Sequence, residues 1–228
     1  MKSIPQHIVL FPDGNRRWAK QKGINTFDGH QQGYRNIIYF AEWCKKRGVK
    51  VLTAFGFSTE NWKRSEDEVN YLMQLLERGL LESLERLKKE GVKVKIIGQK
   101  EKLPKSLQET IKKVELETEH NSKLHLNLAV SYGGRWDILN AVKKIMEEKI
   151  PAEDITEELF ENYLSTAGLV APDLIIRAGG EMRLSNFVLW QGAYAELYFS
   201  PKLWPEFSEN DLDEALAEFE NRQRRFGK

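Results

Sequence analysis

Short apolar runs alternate along this chain with longer stretches in which apolar residues return every three or four positions. Such alternation marks a mostly parallel sheet with helices packed on its faces. Strands are predicted at 8–11, 49–57, 92–97, 124–130, 174–176 and 195–199, and helices at 15–22, 33–47, 66–90, 104–120, 135–149, 156–165 and from 208 to about 226. The second helix carries Tyr34, Ile37, Ile38, Phe40, Ala41 and Cys44 on one face and stops at Gly48. In the third, Ser65 and Glu68 have the spacing of a capping box, and apolar residues keep helical period from Val69 to Leu87. The pattern gives an α/β fold, a mostly parallel six-stranded sheet surrounded by helices in a single domain over residues 1–228.

Composition adds exclusions. The hydrophobic set is 41% and the charged set 30%, ordinary for a globular chain and too apolar for disorder. Thirty-five basic residues face 34 acidic ones, so no global field argues for nucleic acid, and any attraction for phosphate must be local. No apolar run reaches membrane-spanning length and the amino terminus lacks a signal-peptide pattern, which predicts a cytoplasmic protein. The single cysteine, Cys44, sits on an apolar helix face as core filler, and the four histidines lack zinc-ligand spacing.

The candidate chemistry lies at VLFPDGNRRWAK, residues 9–20. Asp13-Gly14 could be a hairpin turn, but residues 15–22 lack the alternation of a returning strand, so the corner is strand, tight turn, helix start. There the first amides of a helix have no internal partner and favour an anion, and Arg16 and Arg17 add charged donors. A carboxylate at an anion site is contradictory unless a hard cation lies between acid and phosphate, as magnesium does. Asp13 therefore suggests a diphosphate with Mg2+.

A second such corner is IIRAGGEMRLSNFVLW, residues 175–190, where Arg177, Arg183 and Ser185 surround the Gly179-Gly180 turn and suit another diphosphate. Glu196, on the last strand, reads either as a metal ligand or as an ordinary solvent-facing acid. In FGFSTENWKR, residues 55–64, Ser58, Glu60, Asn61 and Arg64 either cap the next helix or position a substrate and accept a proton.

Taken in order, DGNRRWA, GHQQG, FSTENWKRS, SYGGRWDI, IRAGGEMRLSNFVLWQGAYAELYF, LWPEF and the terminal RQRRFG resemble the cis-prenyltransferase family, the undecaprenyl diphosphate synthases and their relatives, from about His7 to Gly227. The resemblance implies a magnesium-dependent enzyme that adds isopentenyl diphosphate units, with cis geometry, to an allylic diphosphate such as farnesyl or geranyl diphosphate. It also implies a homodimer and an apolar tunnel for the growing chain, walled by the second and third helices.

By the same resemblance, Asp13 is the essential acid that engages magnesium and the allylic diphosphate. Gly14, Asn15, Arg16 and Arg17 cradle that diphosphate, with Trp18 and His30 lining the same site. Asn61 falls at a proton-acceptor position, beside Ser58, Thr59, Glu60, Trp62 and Arg64. Arg177, Arg183, Leu184 and Ser185 bind isopentenyl diphosphate, Glu196 helps hold the metal, and Arg225-Phe226-Gly227 forms a tail that reaches a neighbouring subunit. Thr26, Pro12, Ala178 and Met182 depart from the commoner residues of the family, while Gly56 leaves room near the tunnel entrance, so allylic preference and product length stay open. The rival readings are short-chain or irregular prenyl coupling on the same scaffold and a non-catalytic partner subunit. The latter is disfavoured because Asp13, Arg17, Arg177, Arg183 and Glu196 are all present.

Overall fold

A computed structural model describes residues 4–222. The strands are β1 (His7–Phe11), β2 (Val51–Ser58), β3 (Val92–Ile97), β4 (Leu124–Tyr132), β5 (Leu174–Arg177) and β6 (Glu196–Phe199). The helices are α1 (Asn15–Lys22), α2 (Thr26–Lys46), α3 (Glu66–Lys89), α4 (Lys105–Glu117), α5 (Gly134–Glu147), α6 (Glu157–Glu161) and α7 (Glu209–Asn221). All six strands pair in parallel, in the order β3-β4-β2-β1-β5-β6. Buried strands explain the unbroken apolar runs: every residue of β1 and β5 is buried, because both faces of the sheet are covered.

The order matters for function. From β1 the chain places β2, β3 and β4 on one side, with β4 between β2 and β3, then returns to add β5 and β6 on the other side of β1. The direction of winding therefore reverses between β1 and β5, and the carboxyl ends of those two neighbours open a crevice of the kind in which parallel sheets bind ligands.

Three expectations need correction. The second helix begins at Thr26 and not at residue 33, capped by the Asn25 side chain, which accepts from the Phe27 amide at 2.9 Å. Gly29 and Gly33 look like breakers but lie inside it, because a Cβ on Gly29 would meet the Asn15 carbonyl at 2.5 Å and one on Gly33 would overlap the Asn15 side chain. They let α2 cross α1 closely. Second, α6 ends at Glu161, and the chain continues in turns where the amide and hydroxyl of Ser165 both bond the buried carboxylate of Asp137 at 2.9 and 2.6 Å. Third, α7 has its Ser208–Asp211 capping box but stops at Asn221, where Arg222 turns extended. The expected tail at 225–227 lies outside the described residues. Cys44 is fully buried in the main core, as expected of filler.

Candidate active site

The turn after β1 is forced open to one side. Gly14 has φ 108°, a left-handed conformation that side chains rarely adopt, and a Cβ there would meet Leu203 at 2.8 Å. The glycine thus serves the packing of residues 201–204, whose Trp204 amide bonds the Asp13 carbonyl at 2.9 Å. Helix α1 then starts with no side-chain cap and no acid in its first turn, leaving the positive end of its dipole unneutralised.

The turn after β5 lies against it. Arg177, 4% exposed, donates to Asp13 Oδ2 at 2.9 Å and to Ser185 Oγ at 2.9 Å, and also to the Arg183 carbonyl. Arg17 approaches Asp13 Oδ1 at 3.3 Å and Glu181 at 3.5 Å. Gly179, at φ 90°, is required here: a Cβ would press on Arg17 at 2.8 Å and on the Asp13 carbonyl at 3.0 Å. The two arginine-bearing corners therefore meet around one carboxylate. One donor in this cluster is unsatisfied: the buried Nε of Arg177 has no hydrogen-bond partner. A buried guanidinium N–H without an acceptor is costly, and an anionic ligand would remove that cost.

Both corners line the mouth of a cavity of about 1200 Å³. Six lining cations, Arg16, Arg17, Lys20, Arg64, Arg135 and Arg177, outnumber the lining carboxylates Asp13 and Glu60. Further in, the wall is apolar: Ile37 from α2, Phe55 and Phe57 from β2, and Leu72, Met73 and Leu76 from α3. The apolar faces of α2 and α3 both contribute to this wall. The cavity's charge and greasiness are segregated, a shape suited to an amphiphile with an anionic head.

The remaining expected residues divide. Gly14, Asn15, His30, Ser58, Asn61 and Ser185 line the cavity. His30 Nε2 lies 3.2 Å from Glu68, which also accepts from Arg64 at 2.9 Å. Glu68 thus bonds Arg64 and His30 instead of closing the expected capping box; only the Ser65 half of that box forms. Burial pushes the His30 pKa down against the opposing pull of Glu68. The Asn61 side-chain oxygen accepts from the Ser58 amide at 3.0 Å and caps a short helical turn, residues 59–63, at the cavity edge. Burial by itself would raise the Glu60 carboxyl, but hydrogen bonds led by Asn186 outweigh it and hold the group below its usual range. Glu60 is a weak base.

Trp18, Thr59, Trp62, Arg183 and Leu184 do not line the cavity. Trp62 anchors the 59–63 turn by donating to Ser131 at 2.9 Å and packing edge-on to Phe57. Arg183 is exposed and pairs with Glu181, and Leu184 packs against the smaller core cluster around Phe187. Glu196 is the first residue of β6, at the amino end of the sheet, paired with Arg222 at 3.0 Å. Within one chain it does not meet Asp13, which sits beyond the carboxyl end of β1. Among the described residues no group of three or more His, Cys, Asp or Glu side chains converges to hold a metal. Asp13 alone among the two expected ligands faces the crevice, and for an ion that keeps phosphate and water ligands one carboxylate fits.

Two lining residues had been passed over. Arg135 stands at the start of α5, after the Gly133-Gly134 turn that ends β4, and Asn186 ties three pieces together. Its side chain accepts from the Arg135 amide at 2.9 Å and donates to Glu60 at 2.8 Å, while its carbonyl accepts from the Gly134 amide. The signal was present, since the Gly-Gly-Arg corner repeats the strand, turn and arginine pattern of the other two.

Comparison with known proteins agrees with this arrangement. Residues 11–227 match the family described as "Putative undecaprenyl diphosphate synthase". An isoprenyl transferase of Thermotoga maritima is 45% identical, covering 98% of this chain and 97% of its own. A ditrans,polycis-undecaprenyl-diphosphate synthase of Acinetobacter baylyi, described as farnesyl-diphosphate specific, is 45% identical over 99% of this chain and 92% of its own. The solved lavandulyl diphosphate synthase of Lavandula x intermedia, in complex with dimethylallyl diphosphate, is 39% identical with a TM-score of 0.95 and covers 99% of both chains. A whole-chain match of sequence and fold places the chain in the undecaprenyl diphosphate synthase family of prenyltransferases.

Proposed function

We propose that this enzyme condenses isopentenyl diphosphate with an allylic diphosphate, such as farnesyl or geranyl diphosphate, to give a cis-polyprenyl diphosphate. The observation that carries the proposal is the meeting of two guanidinium-bearing turns around Asp13, with an unsatisfied Arg177 donor, at the mouth of an apolar cavity.

In this reading the allylic diphosphate lies over the open end of α1, held by the amides of residues 15–17 and by Arg17. Arg177 and Ser185 hold the second diphosphate. The allylic carbon–oxygen bond breaks and its diphosphate leaves with the electron pair. The isopentenyl double bond then forms the new carbon–carbon bond, and a proton lost from the adjoining carbon restores the alkene. With the Asn61 oxygen engaged and Glu60 a weak base, that proton passes to a diphosphate oxygen. Magnesium, when bound through Asp13, would neutralise the charge that develops on the leaving group. The guanidiniums do the same from the protein side, and the apolar wall excludes water that would trap the cation.

A second copy of the chain is the expected partner, making a homodimer. Leu139, Val142 and Met146 expose an apolar stripe on α5, and β6 is the outer strand of the sheet. We place the enzyme in the cytosol, as expected from the apolar runs and the amino-terminal pattern; no helix among the described residues is long and apolar enough to cross a membrane. The likeness to lavandulyl diphosphate synthase supports a second reading, the irregular joining of two allylic units.

One assay separates these readings. The purified protein is incubated with magnesium and dimethylallyl, geranyl or farnesyl diphosphate, with and without isopentenyl diphosphate, and the products are weighed. Products longer by five-carbon units only with isopentenyl diphosphate support the proposal, whereas a ten-carbon product from dimethylallyl diphosphate alone selects irregular coupling. No product in any arm overturns both.

A further inference from the structure

Most of the apolar cavity wall is thick. Ile37, Phe57 and Met73 belong to the main core, and Leu72 and Leu76 pack against it, so further core residues stand behind them. The wall is thin in one place. Tyr34 of α2 and Leu75 of α3 line the main cavity and also a second pocket of about 100 Å³ on the outer side of the same two helices. The rest of that outer pocket is mostly polar, lined by side chains such as Arg35, Arg78, Glu82 and Arg86 beside Ile38 and Tyr39. Neither Tyr34 nor Leu75 belongs to a core cluster.

The tyrosine ring is seated by an absence on the facing helix. Gly79 lies in the middle of α3, where glycine weakens a helix by about 1 kcal/mol relative to alanine. A Cβ at that position would overlap the ring carbons of Tyr34. The ring fills the notch that the missing side chain leaves. Its hydroxyl is enclosed with Ser83 beside it, yet makes no hydrogen bond of normal geometry, so packing and not hydrogen bonding sets its place.

We infer that Tyr34, locked into the Gly79 notch, is the partition that limits how much hydrocarbon the cavity accepts, and that it thereby sets product length. The inference rests on the prenyltransferase reading above. A tail that outgrows the cavity on this side meets the ring where removing a single side chain joins the cavity to the outer pocket. The Tyr34 hydroxyl makes no hydrogen bond to the diphosphate-binding turns, so trimming the ring changes where elongation stops and leaves the first condensation intact.

The test uses the intact protein with magnesium, isopentenyl diphosphate and the preferred allylic diphosphate, with products separated by length. Tyr34→Ala is expected to shift the main product upward by at least one five-carbon unit at an unchanged rate of first addition. Tyr34→Phe keeps the wild-type length, because the ring is what blocks. Tyr34→Ala with Gly79→Leu refills the notch and brings the length back toward wild type. An identical ladder for wild type and a folded Tyr34→Ala protein overturns the inference; should that variant melt at low temperature, Tyr34→Val serves in its place.

A second measurement needs no turnover. Calorimetric affinity for a series of non-reacting prenyl thiolodiphosphates should rise with tail length and then level off, one or more units later in Tyr34→Ala than in wild type. Levelling at the same length in both overturns the partition even if the enzyme elongates. A wild type that binds the series but never elongates overturns the proposed reaction and leaves the partition to this series, and binding of no member overturns both.

Discussion

The two ends of β1 carry polar chemistry of opposite kinds. At the amino end His7 is buried and closed: its ring nitrogens lie 2.7 Å from the Val170 carbonyl and 2.8 Å from the Thr53 hydroxyl. A neutral ring protonated on Nδ1 donates to the carbonyl and accepts from Thr53, which in turn accepts from Asn127 at 3.2 Å. Asp173 takes the amides of Gln6 and His7 at 2.6 and 3.1 Å. At the carboxyl end, five residues on, cations exceed carboxylates, a helix terminus is uncapped and the Arg177 Nε has no acceptor. Buried polar groups in folded proteins are normally paired, so a closed network needs nothing further, whereas an open one with excess charge implies a ligand. One strand thus separates a structural site from a working site.

The largest effect that could break this comparison is at the open end. Asp13→Asn keeps an acceptor for Arg177 but removes the charge that would hold magnesium; kcat/KM should fall by roughly 10²–10³-fold or more, on the scale of losing a transition-state charge contact. Its melting temperature should stay near wild type. A variant of normal activity, or one that fails to fold, would make Asp13 as structural as His7. Next in size is Arg177→Lys, which keeps charge but loses the fork that reaches Asp13 and Ser185 together. With each charge-assisted bond contributing about 1.5–3 kcal/mol, KM for isopentenyl diphosphate should rise roughly 10- to 100-fold while KM for the allylic substrate moves less. Equal rises in both would show that the two diphosphates are not divided between the turns.

The sequence showed the open end more clearly than the closed one. Apolar runs located all six strands, and turns rich in glycine and arginine marked both sides of the crevice, because both signals are local. What was missed depends on which surfaces meet. Gly29 and Gly33 look like helix breakers until α1 lies across them, and nothing near Trp18 or Trp62 says that the indoles face away from the cavity. Glu196 stands first in its strand, and in a parallel sheet the first residue is at the end opposite the carboxyl ends, which places it away from Asp13 within one chain. That signal was legible. The closed network around His7 was not, since Thr53, Asn127 and Val170 come from segments far apart in sequence.

A smaller effect sharpens the comparison at the closed end. His7→Ala takes the donor from the Val170 carbonyl and the acceptor from the buried Thr53 hydroxyl, which keeps only its bond from Asn127, at a cost of about 1–3 kcal/mol. For a chain of this size that lowers the melting temperature by roughly 2–4 °C per kcal/mol. Turnover of the folded fraction should be unchanged, which separates this end from the other. A fall in kcat/KM as large as that of Asp13→Asn would mean that the two ends are coupled.

The smallest expected effect is a pH dependence whose sign follows from the same network. Burial lowers the pKa of His7, and the Val170 carbonyl and Asp173, which pull it upward, do not offset this; burial also lowers His30 and His125. Below the ordinary histidine value of 6.5 the unfolded chain therefore binds protons that the folded chain refuses. Stability rises with pH wherever the unfolded state holds more protons, so the contribution of these rings is fully present above that value and is lost as the pH falls below it. Melting curves between pH 8 and about pH 5 should show a decline that begins near 6.5, and the decline should be shallower in His7→Gln, which keeps a donor and an acceptor but cannot titrate. Since carboxylates titrate mainly at lower pH, their share can be removed by comparing slopes only above about pH 5. An equal slope in wild type and His7→Gln would mean that the ring accepts its proton in the folded state, and the amino end of β1 would then be an open site and not a closed one.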